Sequence, residues 1–193
     1  MFRKNKTGLI LTEALVAIGM MAIGSIILGS IITNAVSTTA LSKNYLLAQN
    51  LATEGIEGVK NLRDTNWLRE PEKEECWLSL NPDEVCGVEA EERMDYIVYQ
   101  NERDQWIMES MAEELDLEGE QKNEGYRLFV KEIDGLYNIY VHNPSNAEPS
   151  PFFRGIKFNK ITDNAATFEI KVQWKEGAKV RTIVRTVTLY NYY

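Results

Sequence analysis

The feature that most constrains this chain is a run of apolar residues near its N-terminus, from Leu9 to Ile32. Glu13 is the only charged residue in the run, and the other clearly polar side chains are hydroxyls. A helix rising about 1.5 Å per residue reaches roughly 36 Å over this length, enough to cross the hydrocarbon core of a bilayer. The run therefore predicts a transmembrane helix with a carboxylate inside it.

The residues before the run predict its orientation. Arg3, Lys4 and Lys6 give residues 1–8 a local charge of +3 without any acidic residue. Because Lys and Arg are enriched on the cytoplasmic side of membrane spans, the N-terminus is expected inside the cell and the C-terminal domain outside it.

Three kinds of segment could produce such a run, and Glu13 helps to separate them. A cleavable secretory signal has a shorter apolar region followed by a small-residue cleavage site, for which residues 35–37 are a weak candidate. A plain signal anchor explains the length but not the carboxylate. A carboxylate inside a span costs about 3 kcal/mol or more, so it is expected to be functional and to have a partner.

The third alternative is a prepilin signal. The basic leader ends in Gly8, the next residue is the hydrophobic Leu9, and Glu13 is the fifth residue counted from Leu9. This arrangement, over residues 3–33, resembles the class III signal of type IV pilins and type II secretion pseudopilins. The resemblance implies that prepilin peptidase cuts after Gly8 and methylates the new N-terminus at Leu9, so that the apolar helix is retained.

The resemblance also implies a role for Glu13. In this family the glutamate at the fifth position is taken to pair with the N-terminal amine of a neighbouring subunit. Cleavage would create that amine at Leu9, at membrane depth, and an ion pair offsets part of the cost of two buried charges. An assembly ion pair of this kind would help to set the axial register between subunits.

Two departures from the common pilin pattern favour a minor subunit over the main filament protein. Leu9 stands where Phe is commonest, and Ser30 stands where major pilins often have proline. The retained Glu13 makes the chain less like the tip subunit, which characteristically lacks this glutamate.

Apolar residues continue beyond the span at helical spacing, which predicts a first helix from about residue 9 to about residue 64. The expected organisation is a leader at 1–8, a transmembrane and assembly helix at 9–32, an amphipathic continuation at 33–64 and a β-rich domain at 65–193. Gly55 and Gly58 allow a bend or a close approach to a strand. The apolar stripe consists of Leu41, Tyr45, Ala48, Ala52, Ile56, Val59 and Leu62.

The β-rich domain shows alternating patterns and turn signals. In residues 168–174 the alternation predicts a strand with one face in the core, formed by Phe168, Ile170, Val172 and Trp174, and one solvated face, formed by Glu169, Lys171 and Gln173. Asp134-Gly135 lies between two β-rich runs and predicts a hairpin, and a second turn is expected at 175–179. About five or six antiparallel strands packed on the first helix make an α+β fold, the pilin-like lollipop. Residues 101–120 are instead predicted to form a short helix, with Trp106, Ile107, Met111 and Leu115 as its apolar positions.

The two cysteines, Cys76 and Cys86, both lie in the expected extracytoplasmic part of the chain. An even number of cysteines outside the cytoplasm favours a disulfide, with free thiols as the alternative. A metal site needs more ligands, and the only histidine, His142, lies far along the chain.

Charge and motifs argue against several functions. The net charge of −8 argues against a general nucleic-acid binder, although the C-terminal part from residue 152 is basic, with a local charge of +5. The acidic stretch 116–120 lacks the spacing of a calcium-binding EF-hand loop, so a solvated surface is favoured there. His142 has no catalytic partner in the sequence and is expected at the surface. No enzyme activity, cofactor or metal is predicted.

The sequence as a whole therefore predicts a minor pilin or pseudopilin. Its expected partners are the lipid bilayer before assembly, prepilin peptidase, a membrane assembly platform and other pilin subunits. It is expected in the cytoplasmic membrane as a single-pass protein, and then in a cell-surface pilus or pseudopilus. The alternatives are a membrane-anchored binding module and an adhesive tip protein whose 65–120 region meets a surface or DNA.

Overall fold

The computed structural model describes residues 6–69, 74–81, 90–91, 94–101, 103–118, 124–143, 145–162 and 164–191. The chain forms two compact units, Met1–Leu46 and Leu47–Tyr193. The described residues of the first unit, 6–46, are helical, and the second unit combines the rest of the same helix with an antiparallel sheet. The predicted α+β class is therefore confirmed.

One α-helix and seven strands account for the regular structure of the described residues. The helix is α1 (Lys6–Arg69), and short 3-10 helices lie at Glu74–Leu78 and Glu124–Tyr126. The strands are β1 (Asp95–Gln100), β2 (Trp106–Met111), β3 (Arg127–Ile133), β4 (Tyr137–Val141), β5 (Glu148–Thr162), β6 (Ala165–Glu176) and β7 (Lys179–Tyr190).

Helix α1 ends at Arg69, beyond the expected end near residue 64. Asn66 provides a physical reason for the extra turn, because its side chain has a role in the domain. The Asn66 amide donates hydrogen bonds to the carbonyl oxygens of Trp77, at 3.3 Å, and Ser79, at 2.9 Å. The last part of α1 is thereby joined to the chain segment that follows it.

The sheet has a branch at β5. Along one edge, β5 pairs with β6 from Phe152 to Thr162, and β6 in turn pairs with β7. The other edge is shared, since Ile156 of β5 pairs with Tyr96 of β1 while Phe153 pairs with Arg127 of β3. The β1–β2 and β3–β4 hairpins are therefore attached, through β1 and β3, to neighbouring segments of the same edge of β5.

Two turn predictions are confirmed. Asp134 and Gly135 both have positive φ, 54° and 65°, between Ile133 and Tyr137, which pair across the β3–β4 hairpin. Gly177 has a φ of 59° in the turn between β6 and β7, where an L side chain would be strained.

The predicted short helix over 101–120 is wrong. Residues 106–111 form β2, which pairs with β1 without a break from Asp95↔Met111 to Gln100↔Trp106. The Asn101 side chain stabilises the connecting turn by accepting hydrogen bonds from the backbone N–H groups of Arg103 and Gln105, at 2.9 and 3.1 Å. Pairing with the preceding strand β1 outweighs the local helix propensity of this segment.

The main core lies between the sheet and the part of α1 that belongs to the second unit. The alternating residues of β6 from Phe168 to Trp174 are at most 3% exposed, as predicted. On the helix, Gly55 and Gly58 permit close approach, since a Cβ on Gly58 would lie 2.8 Å from the Trp106 ring. The stripe residues Ala48, Ala52, Val59 and Leu62 are buried here.

The opposite face of the sheet carries a second, smaller apolar cluster. Leu115 and Leu117 cover it and are 2% and 7% exposed. The backbone N–H of Leu117 donates to the side chain of Gln173 on β6, at 3.1 Å. Gln173 was expected on a solvated face, and it is buried because this segment lies over it.

Candidate functional sites

The first candidate site is the N-terminal half of α1. Its large apolar side chains are exposed, for example Leu11 at 66% and Ile26 at 73%. By length and composition, α1 is a candidate membrane span, with no residue of its most apolar window buried in the chain. An apolar surface of this extent requires lipid or other protein around it.

Glu13 lies in this apolar surface and is exposed. It shares one helix face with Val16, Ala17 and Met20, at the spacing that brings helix side chains together. In contrast, the hydroxyl of Ser25 donates to the carbonyl of Met21 in its own helix at 2.8 Å. The helix can satisfy a hydroxyl by itself, but a carboxylate needs a donor or a cation from elsewhere.

The backbone at Gly8 and Leu9 is helical as part of α1, and the Leu9 side chain is outside the described set. The proposed cleavage and methylation at these positions stay predictions. The same holds for the disulfide, because Cys86 lies outside the described residues, while Cys76 is 2% exposed in the 3-10 helix Glu74–Leu78.

A second candidate site lies in the second unit, at the branch of the sheet, and was not foreseen from the sequence. It is a cleft of about 690 Å³, which we call the fork cleft. It is lined by residues of α1 between Leu47 and Glu54, residues 99–101, Trp106, Lys131, residues 138–143 and 145–146, and Arg154. It opens where the β1–β2 and β3–β4 hairpins diverge from β5.

Arg154 lies at the branch and is 1% exposed. Its guanidinium donates to the carbonyl oxygens of Leu51 on α1, at 3.1 Å, and Val98 on β1, at 3.0 Å. Glu54 pairs with it at 3.2 Å. Burial lowers the pKa of Arg154, and the Glu54 carboxylate acts in the opposite direction. One buried charge therefore connects the helix, β1 and β5.

The expectation that His142 lies at the surface is wrong for its ring nitrogens. Both nitrogens are shielded from solvent, and neither makes a hydrogen bond of normal geometry to a described residue, although a backbone group of Arg127 lies close enough to act on the ring. The ring lies beside Tyr99, with 6.4 Å between the ring centroids. Burial, and then the charge of Arg154, lower the pKa of His142 well below its ordinary value of 6.5. The imidazole is therefore neutral at pH 7.

A neutral, buried His142 makes the stability of the chain depend on pH. In the unfolded chain this histidine takes up a proton near pH 6.5, whereas in the folded chain it does so only at lower pH. The unfolded state thus binds more protons, and the free energy of unfolding should fall as the pH drops from 7 to 5, by at most about 2 kcal/mol. Urea unfolding of the full chain at several pH values measures this.

His142→Phe is expected to abolish that fall, because the chain has no other histidine. Asp95 titrates with the opposite sign, since burial and then Glu114 raise its pKa, but its effect is common to both proteins. An equal slope in the variant and the parent chain between pH 5 and 6.5 would rule out this account of His142.

Of the acidic stretch 116–120, the structure describes residues 116–118, and residues 119 and 120 lie outside the described ranges. The Asp116 carboxylate accepts a hydrogen bond from the backbone N–H of Glu118 at 2.9 Å. Nearby, Lys171 pairs with Glu114 at 2.9 Å, which lowers the pKa of Glu114. In the part of the chain that the structure describes, no group of three His, Cys, Asp or Glu side chains is placed to hold a metal ion.

Comparisons with models of known protein families, with curated proteins and with solved structures find no match to this chain.

Proposed function

We propose that this chain is a minor pilin or pseudopilin, a subunit that is cut after Gly8 and assembled into a filament through its N-terminal helix. The observation that carries the proposal is the placement of Glu13. A single carboxylate stands in an exposed apolar helix, and that same helix continues into a β-rich domain. A helix that only anchors a domain in lipid has no use for such a charge.

The continuity of α1 supports the same function. Its backbone is helical from Lys6 to Arg69, so one element includes the proposed cleavage point, the apolar surface and the packing surface of the domain. In this proposal, the segment is held in lipid before assembly and by the equivalent helices of other subunits afterwards. The partners at the two stages are the bilayer with prepilin peptidase, and then the assembly platform with other pilins.

The N-terminus of the mature chain tests the proposal. The full chain is expressed in bacteria with and without a prepilin peptidase, and the membrane-bound product is examined by mass spectrometry. We expect a product that begins at N-methylated Leu9 only when the peptidase is present. Gly8→Val is the control and should remain uncut. An uncut product in every strain, or cleavage after residue 37, would exclude the prepilin signal.

A second candidate function is a membrane-anchored binding module, which the fork cleft favours. This function requires the span but not cleavage after Gly8, nor any role for Glu13 in assembly. The mass-spectrometry experiment therefore separates the two functions. A cut and methylated chain that also binds a ligand in the cleft would be an adhesive minor pilin.

A further inference from the structure

We propose that the fork cleft binds an uncharged carbohydrate, of the size of a disaccharide. The proposal is independent of filament assembly, because every residue that lines the cleft belongs to the second unit. It rests on the volume of the cleft and on the chemistry of its lining.

The volume and position are those of a small-molecule site. At about 690 Å³, the cleft falls within the range of about 300–1,000 Å³ found for such sites. It exists because β1 and β3 share one edge of β5 and then diverge, which leaves a gap that backbone pairing cannot close. Most of the residues around it are held by α1 and by the five strands β1 to β5, so the site is largely preformed.

The lining combines aromatic rings with uncharged amide groups. Tyr99, Trp106 and Tyr140 are half-buried and contribute ring surface. Gln100 and Asn138 are exposed at the cleft and present carboxamides, each of which both donates and accepts hydrogen bonds. Sugars offer the complement, with apolar C–H faces for the rings and hydroxyl groups for the amides.

The charges in the cleft disfavour an anionic ligand. Arg154 is already paired with Glu54 at 3.2 Å and donates to two backbone carbonyls. Lys131 is the one other charged side chain among the described residues that line the cleft. A phosphate or sulfate site requires cations that are free to engage the ligand, and this cleft offers a single half-buried lysine.

Two of the residues that line the cleft, His142 and Arg154, have buried nitrogen atoms. The nitrogens of His142 and the Nε of Arg154 make no hydrogen bond of normal geometry to a described residue. Because these nitrogens have no accessible surface, a ligand in the cleft would contact the exposed part of the His142 side chain rather than its nitrogens.

His142 also provides the probe for the test, because it is the only histidine in the chain. The full chain, carrying no histidine tag, is labelled with ¹³C-histidine and placed in lipid nanodiscs, which avoids detergents with sugar head groups. Its single imidazole Cε1–H resonance is followed by NMR during titration with lactose, maltose, cellobiose or di-N-acetylchitobiose. A sulfated heparin disaccharide forms the anionic arm of the experiment.

We expect at least one neutral disaccharide to shift the His142 resonance in a saturable manner. The double variant Gln100→Ala/Asn138→Ala should weaken that binding by about tenfold or more, because two hydrogen-bonding groups are lost. Asn159→Ala is the matched control, an exposed amide on β5 away from the cleft, and should bind as the parent chain does. An unchanged His142 resonance in the ligand-free double variant shows that the fold is intact.

Three results would overturn the proposal. The first is the absence of a saturable shift with every neutral disaccharide in the titration. The second is a shift caused only by the sulfated disaccharide, which would make the cleft an anion site. The third is a dissociation constant that the double variant does not change, since the ligand would then bind elsewhere.

Discussion

Arg154→Met is expected to lower the free energy of unfolding by about 3 kcal/mol, the largest stability effect of any single change considered for this chain. The variant leaves the carbonyl oxygens of Leu51 and Val98 without the donors that now reach them at 3.1 and 3.0 Å. It also leaves Glu54 without its cation, although Glu54 is 39% exposed and can be rehydrated. For that reason we place the effect at the lower end of the range for broken buried pairs.

The measurement is denaturant unfolding of the full chain, followed by the fluorescence of its four tryptophans. Arg154→Lys should be intermediate, because an ammonium group cannot reach all three acceptors with the geometry of a guanidinium. Arg181→Met is the matched control, since Arg181 is exposed on β7 and its pair with Glu176 at 3.0 Å lies at the surface. That change should cost less than about 1 kcal/mol. Equal losses in the two methionine variants would contradict the role given to Arg154.

Glu13→Ala is expected to leave cleavage after Gly8 largely intact but to reduce incorporation into filaments on the order of tenfold or more. The reason is that the amine created at Leu9 would lose its proposed counter-charge in a medium where an isolated cation is costly. The variant also removes an unpaired carboxylate from lipid, so the unassembled chain should accumulate in the membrane rather than disappear.

Immunoblots of sheared filaments and of membranes, made with and without prepilin peptidase, measure both quantities. Ser25→Ala is the control within the same apolar segment, because the Ser25 hydroxyl already donates to Met21 of its own helix. It should assemble as the parent chain does. Normal filament levels with alanine at position 13 would show that the carboxylate has no part in assembly, whatever the result of the cleavage experiment.

Local patterns in the sequence were sufficient to predict much of the fold. Apolar residues at helical spacing predicted the stripe of α1 that is buried from Ala48 onward, and strict alternation predicted the inner face of β6. Gly177 and Asp134-Gly135 predicted turns because few residues adopt positive φ at low cost. These features depend on neighbours in the chain, and so the sequence alone could determine them.

Contacts in the tertiary structure, by contrast, determine the secondary structure and burial of residues 103–118. Trp106–Met111 form a strand because β1 offers a complete set of pairing partners, and Leu115 and Leu117 are buried because they cover the second face of the sheet. The segment that contains Leu115 and Leu117 contacts residues that are distant in sequence, since the backbone N–H of Leu117 donates to the side chain of Gln173. No periodicity within the segment carries that information.

The sequence alone shows that Glu13 is a charged residue in an apolar run and that it lies five residues after Gly8. Both facts depend only on the order of the residues. The fork cleft is not evident from the sequence, because it arises where β1 and β3 leave the same edge of β5. Only that long-range pairing brings Arg154, Glu54 and His142 together from separate elements, buries two charged or titratable groups and leaves part of their hydrogen-bonding capacity unmet.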